Sequence, residues 1–89
     1  MTPMFFKPCG GEIAFDDRPQ EIMCRITDRC GGYIANNGPG VLSVFMGDVV
    51  SLPPFKAVQV PIEYQGPVKI SGHYMDRFTA MEFIREPVR

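Results

Sequence analysis

The chain has no tryptophan, one histidine and only three cysteines among 89 residues. Three thiols leave at least one unpaired within the chain, which points to a reducing compartment and away from a secreted, disulfide-stapled module. No run of Lys and Arg occurs, and nine basic residues face ten acidic ones for a net charge of −1. A protein that grips nucleic acid mainly through phosphates carries a clear positive excess, so this balance lowers that reading. No apolar run approaches the roughly eighteen residues needed to cross a bilayer. The first residues, Met1-Thr2-Pro3-Met4-Phe5-Phe6-Lys7-Pro8, lack the charged region and long apolar core of a signal peptide. A cytoplasmic location, no membrane partner and no cofactor are the expectations.

What the chain does have is punctuation. Nine Gly and nine Pro are spread through a sequence that is 45% hydrophobic. That suits many short strands joined by turns and disfavours long helices. Turn signals fall at Pro8-Cys9-Gly10-Gly11, Asp16-Asp17-Arg18-Pro19, Asp28-Arg29-Cys30-Gly31-Gly32, Asn36-Asn37-Gly38-Pro39-Gly40, Pro53-Pro54 and Gln65-Gly66-Pro67. The intervals are strand-sized. We expect residues 1–89 to form a single all-β domain, a small barrel or sandwich of about six to seven short strands.

Alternation gives the faces. From Glu21 to Thr27, Ile22, Cys24 and Ile26 share one side, which reads as an apolar face. From Lys56 to Tyr64, Val58, Val60, Ile62 and Tyr64 alternate with Gln59, Pro61 and Glu63, the pattern of a strand with one buried face. Pro61 lacks an amide proton, which places this strand at an edge or a bulge. From Val68 to Tyr74, Val68, Ile70 and Tyr74 face inward, with Lys69, Ser71 and His73 outward. Gln65-Gly66 between the two runs reads as a hairpin turn. Val41 to Val50 is apolar on both sides and reads as a central strand. The stretch from Arg77 to Glu86 fits a strand slightly better than a short helix capped by Asp76 and ended by Pro87.

A short motif occurs twice, as Cys9-Gly10-Gly11-Glu12-Ile13-Ala14 and Cys30-Gly31-Gly32-Tyr33-Ile34-Ala35. Two glycines after a cysteine suit a tight turn leading into a strand whose Ile packs inward. Each copy also resembles the second half of a zinc knuckle, with Phe6 and Thr27 standing where that motif has its first cysteine.

The chemistry-bearing residues are few. Cys9, Cys24, Cys30 and His73 make up the right number and types for a Cys₃His zinc site, but none of their spacings is the short loop that pre-organises a ligand pair. A Cys24–Cys30 or Cys9–Cys30 disulfide is an alternative use of the thiols. His73 lies on a polar strand face, and nothing marks a cysteine as activated, so no catalytic residue is assigned and no enzyme is expected. Asp16-Asp17 reads as turn chemistry. The glycine pairs and Gly38-Pro39-Gly40 do not match a phosphate-binding fingerprint.

These residues point to a non-enzymatic binding module. Six methionines, two-sided apolar strands and a proline-bearing edge offer more apolar surface than a small core hides. A protein partner or self-association is therefore the first expectation, as an assembly component or a small inhibitor or adaptor of the kind phages encode. The alternative is a small β-barrel that stacks single-stranded nucleic acid on aromatics beside basic residues. A zinc-stabilised module comes third. Candidate binding residues are Tyr33, Phe55, Lys56, Lys69, His73 and Arg77.

Overall fold

The computed structural model describes residues 4–14, 16 and 18–85. Asp17 of the expected Asp16-Asp17 turn, Met1-Thr2-Pro3, and Glu86-Pro87 at the end of the last run lie outside the described residues. Among the described residues nine strands form: β1 (Met4–Pro8), β2 (Gly11–Glu12), β3 (Gln20–Met23), β4 (Arg29–Asn36), β5 (Leu42–Met46), β6 (Asp48–Leu52), β7 (Ala57–Val60), β8 (Val68–Ser71) and β9 (Arg77–Arg85). They make two antiparallel sheets, one ordered β1-β9-β4-β7 with β2 also paired to β9, the other β3-β8-β5-β6. The all-β expectation holds, and among the described residues there is no helix. None is therefore long and apolar enough to cross a membrane.

The inner faces meet around Ile13, Met23, Ile34, Leu42, Val44, Leu52, Val60, Val68, Ile70, Phe78 and Ala80, all buried. Burying a side chain of the Val, Leu or Phe class stabilises the fold by about 1.5–3 kcal/mol. Along β9 the alternation is clear: Phe78, Ala80 and Glu82 point in, while Arg77 and Thr79 are exposed. The final run is thus strand: it pairs with β1 on one side and β4 on the other, and these two ladders take up its backbone hydrogen-bonding groups.

Several local readings change. Val41 to Val50 is two strands, folded back at Gly47, whose φ of +85° suits glycine. β5 is the interior one, flanked by β6 and β8. In β3 the alternation breaks: Ile22 packs against the core as expected, but Met23 is buried beside it and Cys24 exposed, because the register with β8 shifts between Glu21 and Met23, and a bulge turns the next residue to the other side. β7 alternates as expected only as far as Val60. Pro61 ends it, Tyr64 N–H closes a turn onto the Pro61 carbonyl at 3.1 Å, and Ile62 is left exposed. Gln65-Gly66 is no hairpin, since β7 and β8 belong to different sheets. Tyr74 is also exposed, because β8 stops at Ser71.

The duplicated motif has a structural counterpart. β2 and β4 flank β9 on opposite sides, and Ile13 and Ile34 are both buried. A Cβ on Gly10 would lie 2.8 Å from the Phe78 carbonyl, and one on Gly32 would collide with the Met81 carbonyl. Both glycines let a backbone close against β9.

Candidate functional site at the loop end

The loops 37–41, 53–56 and 72–76 and the segment after β2 collect at one end of the sandwich. Asn36, the last residue of β4, is buried and ties two of them together. Its side-chain amide donates to the carbonyls of Gly40 (2.6 Å), Leu52 (3.1 Å) and Pro53 (3.2 Å), and its Oδ1 accepts from Gly38 N–H at 3.0 Å. Asp76 closes the third loop, accepting from His73 N–H at 3.0 Å. That loop is fastened to the segment after β2 by Met75 N–H to the Ile13 carbonyl (2.9 Å) and Ile13 N–H to the Asp76 carbonyl (2.7 Å). Asp16 Oδ1 accepts from Tyr74 N–H at 2.6 Å. This frame satisfies the backbone groups that a loop cluster exposes to competition from water.

Large apolar side chains stand on the frame. Val41 is 54%, Phe55 72%, Tyr74 61% and Met75 56% exposed. Phe55 and Met75 are in the left-handed backbone region, at φ 59° and 70°. That conformation is rare for bulky residues and costs of order 1–3 kcal/mol at each position. The strain presents apolar side chains to solvent, so packing in the isolated domain does not offset it. Lys56, His73 and Arg77 are exposed beside them, and Arg77 pairs loosely with Glu12 at 3.7 Å.

Four of the six candidate binding residues, Phe55, Lys56, His73 and Arg77, therefore share this end. Lys69 does not: it lies on the outer face of β8, opposite Glu21 of β3 and Phe45 of β5. Tyr33 lies on the outer face of the other sheet, with its ring edge-on to Phe83 at 6.3 Å, and Phe83 in turn meets Phe6 at 5.3 Å. There Cys30, Gly31, Gly32, Tyr33, Ile62 and Phe83, with all four residues of β7, line a groove of about 540 Å³.

The cysteines do not form a site. All three thiols are free, so neither disulfide pairing is present. No three His, Cys, Asp or Glu side chains converge as metal ligands among the described residues; His73 sits at the loop end, whereas Cys24 and Cys30 lie toward the other. Burial, with the Glu82 carboxylate nearby, pushes the Cys9 thiol above its ordinary range. That is opposite to the activation a nucleophile needs.

A buried ion pair holds the far end. Arg29 Nε donates to Glu82 Oε2 at 2.7 Å, with both side chains essentially inaccessible. The same guanidinium donates to the carbonyls of Tyr64 (3.3 Å), Gly66 (2.5 Å) and Cys24. It pins the segments after β3 and β7 onto the β4–β9 pair and keeps its charge fully hydrogen-bonded.

Compared with protein-family models, curated proteins and solved structures, the chain matches none. The sequence does not mark Asn36, Val41 or Met75 as binding residues, and Tyr74, an aromatic open to base stacking, reads there as inward-facing. The available signals were the Asn-Asn-Gly-Pro-Gly turn and the apolar residues directly following Pro54 and His73.

Proposed function

We propose that the chain is a non-enzymatic protein-binding module of the cytoplasm, acting as an assembly component or a small inhibitor or adaptor through its loop end. One observation carries this reading: Phe55 and Met75 hold strained backbone conformations while exposing apolar side chains on two loops at one end of the sandwich, each fastened by hydrogen bonds to a neighbouring segment. Such outliers persist where surrounding structure over-determines them, and they cluster at functional sites, ligand clamps among them. Loops held by a rigid sandwich are where recognition residues concentrate. Exposed aromatic and methionine anchors with a polar rim match the make-up of a protein interface.

The test compares the native chain with a Phe55→Gly/Met75→Gly variant. Glycine relieves the left-handed strain and removes only exposed side chains, so the variant is expected to fold with equal or greater stability. In crosslinked native-cell lysate, the expected result is one recurrent protein adduct that the variant loses and a Lys69→Ala control keeps. Identical adducts for all three proteins would overturn the proposal. Nucleic acid is the other occupant to distinguish, because aromatics and basic groups adjoin here. Salt-sensitive binding of a single-stranded thymidine oligomer, lost in the same variant, would replace the protein reading.

A further inference from the structure

The five-stranded sheet ends in an open edge at β7, away from the loop-end anchors. In an antiparallel ladder, residues alternate between bonding the neighbour and facing away. Asn36 N–H donates to the Lys56 carbonyl at 2.8 Å. With Ile34 opposite Val58 and Gly32 opposite Val60, the amides and carbonyls of Val58 and Val60 therefore serve β4. Those of Ala57 and Gln59 point outward, and among the described residues no strand pairs with that side.

The other sheet edges carry the usual guards against unwanted pairing. β1 has Lys7 and Pro8, β2 has Glu12, β3 has Glu21 and a register shift, and β6 has Asp48. β7 has neither charge nor bulge within Ala57–Val60; its guards, Lys56 and Pro61, flank it and leave the outward groups of Ala57 and Gln59 open. The groove beside it is also free of charge: Cys30, Tyr33, Ile62 and Phe83 form its side-chain walls with β7 itself. Gly31 and Gly32 leave part of its surface bare. An unpaired row of backbone donors and acceptors is complementary to another polypeptide backbone, and an uncharged hollow next to it is complementary to one large apolar side chain.

We propose that β7 is a strand-addition site: an extended segment of another protein pairs with Ala57 and Gln59 and sets a large uncharged side chain in the groove. This surface is separate from the loop end, and its test stands apart from the one above. The probes are acetylated and amidated heptapeptides of alternating Thr and Val whose central residue is Phe, Leu, Lys or Glu.

Binding is followed on the full chain by amide chemical shifts and hydrogen exchange. The Phe and Leu peptides are expected to slow exchange of the Ala57 and Gln59 amides and to shift Gly31, Tyr33 and Ile62. The Lys and Glu peptides are expected to bind at least about tenfold more weakly. Gln59→Pro removes an outward amide without touching the β4 ladder and should weaken binding about tenfold or more, whereas Gln59→Ala should not. Ile62→Lys, an exposed change, should also weaken it. Thermal melts establish that each variant is folded. Unprotected Ala57 and Gln59 amides, equal binding of charged and apolar peptides, or undiminished binding by a folded Gln59→Pro variant would each overturn the proposal. Self-association of the chain that Gln59→Pro abolishes would make the occupant a second copy and overturn the assignment to another protein.

Discussion

Removing Arg29 should cost more than removing the charge of Glu82, although the two are partners. For 89 residues, typical domain stability amounts to about 4–13 kcal/mol. Breaking a buried ion pair by deleting one member costs about 3–5 kcal/mol, because the other charge is left uncompensated. Glu82→Gln keeps an oxygen that Arg29 Nε–H can meet, and the guanidinium retains the Tyr64, Gly66 and Cys24 carbonyls. Its cost belongs at the low end, about 3 kcal/mol. Arg29→Met strands the Glu82 carboxylate and strips all three carbonyls of their donor. Each carbonyl that water does not reach adds about 1 kcal/mol, which brings the total to about 5 kcal/mol or more.

Urea unfolding followed by far-ultraviolet circular dichroism gives both values. A local readout accompanies them: Ile26 N–H, which donates to the Gln65 carbonyl at 3.1 Å, should exchange faster in Arg29→Met than in Glu82→Gln. Equal destabilisation by the two variants, or unchanged exchange at Ile26, would refute the view that this guanidinium clamps both segments.

Three further outcomes are expected. Gly32→Ala forces a Cβ against the Met81 carbonyl and should cost about 3 kcal/mol, whereas Gly11→Ala, with nothing within 4 Å of the added atom, should change stability by under about 1 kcal/mol; equal urea midpoints would contradict the close packing of β4 on β9. Cys24 is exposed and should be alkylated by iodoacetamide before Cys9, as read by mass spectrometry; Cys9 reacting first would refute its burial. Because the folded Cys9 pKa is raised, the protonated thiol favours the fold, and stability should decline as pH rises above the ordinary thiol value of about 8.5, a decline that Cys9→Ala should flatten. Phe55→Gly should leave stability unchanged or raise it by up to about 2.5 kcal/mol, since about 1–3 kcal/mol of left-handed strain is relieved against about 0.5–1 kcal/mol of added chain entropy; a loss above about 1 kcal/mol would show that the Phe55 ring packs.

The sheet content was legible because period-two alternation at Val58-Val60 and Val68-Ile70 leaves no other way to bury those side chains. What alternation cannot carry is where a strand stops and whom it pairs with. Gly47 folds a ten-residue apolar run into β5 and β6, and Pro61 sends the chain from one sheet to the other. In both places a backbone property of one residue outweighs the pattern around it. Met23 and Cys24 depart from the alternation that Ile22 keeps for a related reason: a bulge is set by the partner strand's register, a long-range fact.

The loop end was half legible by the same logic. Phe55, Lys56, His73 and Arg77 stand out by residue type. Their neighbours became visible only once β8 was seen to end at Ser71, which takes Tyr74 and Met75 out of the core. Asn36 looks like one more turn residue in the sequence, yet its buried amide joins the loops 37–41 and 53–56. If that amide sets the spacing of the anchors, Asn36→Asp should loosen both loops, because a carboxylate accepts from Gly38 but cannot donate to Gly40, Leu52 and Pro53. The expected cost is about 2–3 kcal/mol for the stranded carbonyls and buried charge, with faster exchange at Lys56, whose N–H donates to the Pro53 carbonyl. A variant as stable as the native chain, with unaltered exchange at Lys56, would mean that the loops hold their positions without it.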